Sequence, residues 1–64
     1  MLGEKIKIFI KANGIKQTFL ASKLGVSNST LNTMLNGNRN ITAEEYFKIC
    51  QTLNVSVETF REKN

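Results

Sequence analysis

Sixty-four residues with a formal net charge of +4 make one domain, residues 1–64, and a chain of that size buries only about 60% of its unfolded surface. One cysteine, Cys50, excludes an internal disulfide, the lack of histidine leaves no zinc site to build around it, and no run approaches the roughly 18 apolar residues of a membrane span. The charge is one-sided: Glu4 is the only acid before Glu44, against Lys5, Lys7, Lys11, Lys16, Lys23 and Arg39, a balance of +5, whereas from Glu44 onward four acids outweigh Lys48, Arg61 and Lys63 by one. A one-sided basic surface points to a polyanionic partner, with general solubility as the plainer alternative. The opening "MLGEKIKIFI" carries lysines inside its apolar run and has no signal-peptide cleavage pattern, so a cytoplasmic protein is expected.

Five helices are predicted and no strand. Leu2, Ile6, Phe9 and Ile10 recur at helical spacing and Asn13-Gly14 is a stop, so the first helix spans about residues 2–12, with Ile8 off its buried stripe. The second runs from about Gln17 to Leu24 on Phe19, Leu20, Ala21 and Leu24, and Gly25 can end it by taking positive φ. Ser27 can then cap a third helix, about Asn28 to Leu35, its hydroxyl accepting an otherwise unpaired backbone N–H. Leu31, Met34 and Leu35 face inward there, and Asn36-Gly37 is the stop. Thr42 and Glu45 form a capping box for a fourth helix, with Ile41 placed to staple onto Tyr46. Its stripe is Tyr46, Ile49, Cys50 and Leu53, and Asn54 ends it. A fifth helix of about two turns starts at Ser56, tied to the body by Val55 and Phe60.

Two short helices broken at Gly25 need a reason, because one longer helix nucleates more easily. A helix-turn-helix supplies it: the break lets the second helix cross the first and project a polar edge. Ala21 is small where the two helices pass, Val26 plugs the turn into the core, and Leu31 and Met34 anchor the crossing helix. Asn28, Ser29, Asn32 and Thr33 are left facing outward. Asn, Ser and Thr form helices poorly but can bond base edges, whereas strong helix formers would suit a plain solvated face better.

The stretch "KQTFLASKLGVSNSTLNTMLNGNR" resembles the lambda repressor/Cro-type (XRE) helix-turn-helix family. The family's pattern falls on Gln17, Ala21, Gly25, Val26, Ser27, Thr30, Leu31, Asn36 and Gly37, and "LNVSVETF" resembles its usual ending. The resemblance covers nearly the whole chain. It implies an all-α, compact five-helix, lambda-repressor-like DNA-binding domain with its helix-turn-helix at helices 2 and 3. Three positions depart from the pattern. Lys16 stands where a Ser or Thr cap is common, Phe19 where Glu is common, and Leu35 replaces a frequent Glu late in the third helix. Helix 2 thereby loses a capping box worth about 1 kcal/mol.

The functional expectation is sequence-specific binding of double-stranded DNA by a small transcriptional regulator. The resemblance adds a homodimeric repressor on a palindromic operator. Asn28 and Asn32 suit bidentate bonds to adenine, and Ser29 and Thr33 suit single bonds or thymine-methyl contacts. Lys16, Gln17, Asn36, the Gly37 N–H and Arg39 are expected at phosphates, with Lys23 and Ser27 beside them. The alternative is a protein-interaction module, an antitoxin partner or a decoy on the same fold, using the off-stripe apolar residues Ile8 and Phe47. With no His, no Asp and no reactive-thiol constellation, no catalytic residue, metal or cofactor is expected, and Cys50 reads as core. No ligand domain is recognised, so no small-molecule effector is expected and occupancy would follow protein concentration and dimerisation.

Overall fold

Cap chemistry divides the chain. The computed structural model describes residues 2–60, and there the helices are α1 (Leu2–Ala12), α2 (Gln17–Leu24), α3 (Asn28–Leu35) and α4 (Ala43–Leu53). α2 begins at Lys16 with no side-chain cap, as the missing Ser or Thr predicts. It ends at Gly25, whose φ of 74° is left-handed. The Gly25 N–H donates to the Ser22 carbonyl at 3.2 Å and the Val26 N–H to the Ala21 carbonyl at 3.1 Å. This double closure needs a residue free to take positive φ, and it folds half-buried Val26 back onto the core. α3 begins where the Ser27 hydroxyl accepts the Thr30 N–H. α4 begins at a complete capping box between Thr42 and Glu45 and ends at Asn54, φ 58°.

α3 is the centre of the packing: it lies against both α1 and α2, and α4 packs on α2. Ile6 and Ile10 of α1, Leu20 and Ala21 of α2, Leu31, Met34 and Leu35 of α3, and Ile49 and Cys50 of α4 close the core. Each of these is at most 3% exposed, and no polar side chain is buried among them. Apolar burial of this kind is worth about 1.5–3 kcal/mol for each large side chain, so Leu31, Met34 and Leu35 hold α3 firmly in place. Leu35, standing where the family often has Glu, is simply core.

One expectation is corrected and another is not confirmed. Phe19, expected on the apolar face of α2, is 48% exposed, on the outer side of the helix. The fifth helix is not formed among the described residues, where Val57 to Phe60 is a turn. The Ser56 carbonyl accepts the Thr59 N–H at 3.0 Å and the Ser56 hydroxyl accepts the Glu58 N–H at 3.1 Å. The Tyr46 hydroxyl donates to the Val57 carbonyl, which ties this turn to α4. Phe60 still reaches the core, edge-on to Phe9 with ring centroids 5.4 Å apart. The rest of the expected fifth helix, residues 61–64, lies outside the described residues.

Candidate nucleic-acid interface

The caps at Gly25 and Ser27 bring the starts of α2 and α3 together. Gln17 and Asn28 are the first residues of their helices, and the Gln17 amide nitrogen approaches the Asn28 Oδ1 at 3.5 Å. Two helix N-termini, each with unpaired N–H groups and a positive dipole end, therefore share one side of the molecule. Lys16 is exposed at the same place, and its ammonium has no partner among the described residues.

Along α3, Asn28, Ser29 and Asn32 are exposed and Thr33 is half-buried. The side chains of Ser29 and Asn32 have no hydrogen-bond partner among the described residues and are available to a base edge. The Thr33 hydroxyl donates to the Ser29 carbonyl at 3.1 Å, which turns its proton inward. Ser27 is engaged twice: its Oγ accepts the Thr30 N–H at 3.0 Å and donates to Thr30 Oγ1 at 2.9 Å. Its hydroxyl holds the cap of α3. Ala21 and Leu31 lie in the core as the motif requires.

At the other end of α3, Asn36 Oδ1 accepts from the Lys7 ammonium at 3.2 Å. The Gly37 N–H, a sequence candidate for phosphate, donates to the Met34 carbonyl at 3.2 Å. The Asn36 side-chain NH₂ is a donor left without a partner at this end among the described residues. Arg39 forks onto Glu45, with N–H groups 3.3 and 2.9 Å from its two oxygens. Glu45 Oε1 also accepts the Thr42 N–H at 3.0 Å. That backbone bond, then the Arg39 guanidinium, hold the Glu45 carboxyl below its ordinary range. Lys23 is drawn aside: its ammonium lies 5.6 Å from the centroid of the exposed Phe19 ring.

The fold thus joins Gln17 with Asn28, Lys7 with Asn36, and Arg39 with Glu45. Lys7 and Glu45, which hold Asn36 and Arg39, were not among the sequence candidates for the site. A signal existed for Lys7, because the last turn of α3 has no basic residue of its own and its negative dipole end invites a cation. Elsewhere Cys50 is a buried free thiol, and no cluster of three metal-binding side chains exists among the described residues. No described helix is long and apolar enough to cross a membrane.

Residues 6–60 match the sequence model of the helix-turn-helix family. Antitoxin HipB of Escherichia coli (strain K12) is 33% identical over 63 residues, which are 98% of this chain and 72% of that protein. No solved structure matches the chain.

Proposed function

Given that the chain belongs to the lambda repressor/Cro-type (XRE) helix-turn-helix family, we propose that it binds double-stranded DNA sequence-specifically as a small transcriptional regulator. The observation that carries this reading is the polar edge of α3, Asn28, Ser29, Asn32 and Thr33, set beside the N-terminus of α2. In this reading α3 enters the major groove and Asn28 and Asn32 read base edges, helped by Ser29 and Thr33. Lys16, Gln17 and Asn36 fix the register on phosphates with Arg39, whose share is reduced by its fork onto Glu45, and Lys23, Ser27 and Gly37 play lesser parts because their polar groups are engaged within the protein. A homodimer would repress from a palindromic operator, with the two copies of α3 one duplex turn apart, about 34 Å.

Selection of bound duplexes from a random pool tests the proposal. A recovered sequence motif with twofold symmetry is the expected result, and recovery of no enriched sequence overturns it. A second reading, docking of a protein partner, is favoured by Ile8 and Phe47, which are 62% and 61% exposed, and by the name of the antitoxin relative. The two readings are compatible, because neither residue belongs to the α3 edge.

A further inference from the structure

We infer that Lys7 is a positioning residue for DNA-backbone binding: its ammonium fixes the Asn36 amide so that the Nδ2 hydrogens face outward at the end of α3. The inference rests on the DNA-binding reading above. An ammonium has hydrogens to donate and no lone pair to accept with, so the 3.2 Å contact settles how the Asn36 amide is turned. Oδ1 faces α1, and the NH₂ group faces away from it. Asn36 follows Asn32 by four residues and Ser29 by seven, which places it in line with the reading edge.

The packing of α1 makes this contact a property of the fold. Gly3, four residues before Lys7, lies so close to the end of α3 that a Cβ there would stand 2.6 Å from the Met34 carbonyl oxygen and 2.8 Å from that of Leu35. The backbone of α1 is therefore seated directly on the last turn of α3, and Lys7 is carried to Asn36 by a helix. Because that last turn has no basic residue of its own, Lys7 also supplies the positive charge favoured at a helix C-terminus. The Gly37 N–H is held by the Met34 carbonyl, so the oriented Asn36 amide, in line with the polar edge of α3, is a donor this end of the helix can offer a phosphate.

The test uses the whole chain and three variants, Lys7→Met, Lys7→Arg and Asn36→Asp, with binding titrated on a selected duplex and a scrambled one over a range of salt. Lys7→Met should weaken binding to both duplexes by the same factor, about tenfold for one lost hydrogen bond to a charged group. Its log-log salt slope should stay that of the parent, because no phosphate-neutralising cation has been removed. Lys7→Arg should restore most of the affinity. Asn36→Asp keeps an acceptor for Lys7 but loses the outward donor, so it should bind at least as poorly as Lys7→Met. Without DNA, the side-chain amide resonance of Asn36 should move in Lys7→Met, a change that a loss of general stability would not single out. Parent-like binding by Lys7→Met or Asn36→Asp overturns the role. So does a slope reduced by about 0.9 with the Asn36 resonance unmoved, the mark of a lysine that meets phosphate itself. A parent chain that shifts no duplex even at low salt overturns the DNA reading and this role together, whereas binding by the parent with no loss in the variants overturns the role alone.

Discussion

Arg39 and Lys16 carry the same formal charge in different electrostatic situations. The Arg39 fork is half neutralised by Glu45, with its closer contact at 2.9 Å, while the Lys16 ammonium stands free among the described residues. A free cation releases more counterion on meeting a phosphate. Lys16→Ala should therefore flatten the log-log salt dependence of binding by about 0.9, and Arg39→Ala by less, although both weaken all sequences alike. Salt titrations of the two variants check this, and equal slopes would mean that Arg39 leaves Glu45 for the phosphate. Glu45 itself gives a pH prediction. Its carboxyl is held below the ordinary 4.5 by the Thr42 N–H and then by Arg39, so its charged form stabilises the fold. That contribution is complete above the unfolded value and is lost as pH falls through the lowered folded one. Glu45→Gln should melt below the parent at neutral pH, and the gap should close as melts are taken down through acid pH. Asn28 belongs to a different class of contact, because its amide can meet adenine with one donor and one acceptor in a plane. Asn28→Ala gives up only a weak 3.5 Å contact with Gln17 inside the protein, so the fold should hold. Discrimination at one base pair per half-site should drop by about 1–3 kcal/mol while scrambled DNA binds as before. Competition titration against single-base variants of the selected site reads this directly. Equal weakening on all sequences would make Asn28 a backbone contact and pass reading to Ser29, Asn32 and Thr33.

At the scale of the elements, two glycines are required for unlike reasons. Gly25 has φ 74°, and no atom lies within 4 Å of where a Cβ would stand, so only the backbone opposes a side chain there. Gly25→Val should cost about 1–2 kcal/mol, and Gly25→Asn less, since asparagine tolerates the left-handed region and Asn54 already occupies it. Gly3 is the reverse case: its added Cβ would strike two backbone carbonyl oxygens, which cannot swing aside as a side chain would. Gly3→Ala should lower stability by about 1–3 kcal/mol as α1 is pushed off the end of α3. Thermal melts of the three variants rank the two causes. The same contrast explains what could be read in advance. Helix boundaries were legible because their chemistry is local: Gly25, Ser27, the Thr42–Glu45 box and Asn54 each act within one turn. The outward polar edge of α3 was legible because Leu31, Met34 and Leu35 define its opposite face. Gly3 was not, because nothing in "MLGEKI" reveals that another helix ends against it. The pairing of Lys7 with Asn36 spans 29 residues and depends on that same seat. The turn over Val57 to Phe60, where the start of a fifth helix was expected, also meets a tertiary contact, the Tyr46 hydroxyl on the Val57 carbonyl. Phe19 misled because its spacing with Leu20 and Ala21 reads as apolar, while its position on α2 turns outward.

For the molecule as a whole, size decides how much DNA one copy can read. Its described body measures 31 × 23 × 20 Å, and the proposed reading edge is one eight-residue helix. A single α3 reaches only a few base pairs, and bidentate contacts at about 1–3 kcal/mol each give one copy modest selectivity. The longest dimension is no greater than one duplex turn, about 34 Å, which leaves room for the proposed pair of copies on one face of DNA with their α3 helices in successive major grooves. Such a pair couples two weak recognitions into one strong one, as the proposed dimer requires. It also makes spacing part of the recognition. Inserting about five base pairs between the half-sites of a selected operator turns one of them to the opposite face of the duplex. Affinity should then fall to that of an isolated half-site, and the steep dependence on protein concentration should disappear. Titrations of the intact operator, the inserted one and a single half-site make the comparison. If all three bind alike, each copy acts alone, the dimer is withdrawn, and the specificity of the α3 edge must be carried by one domain.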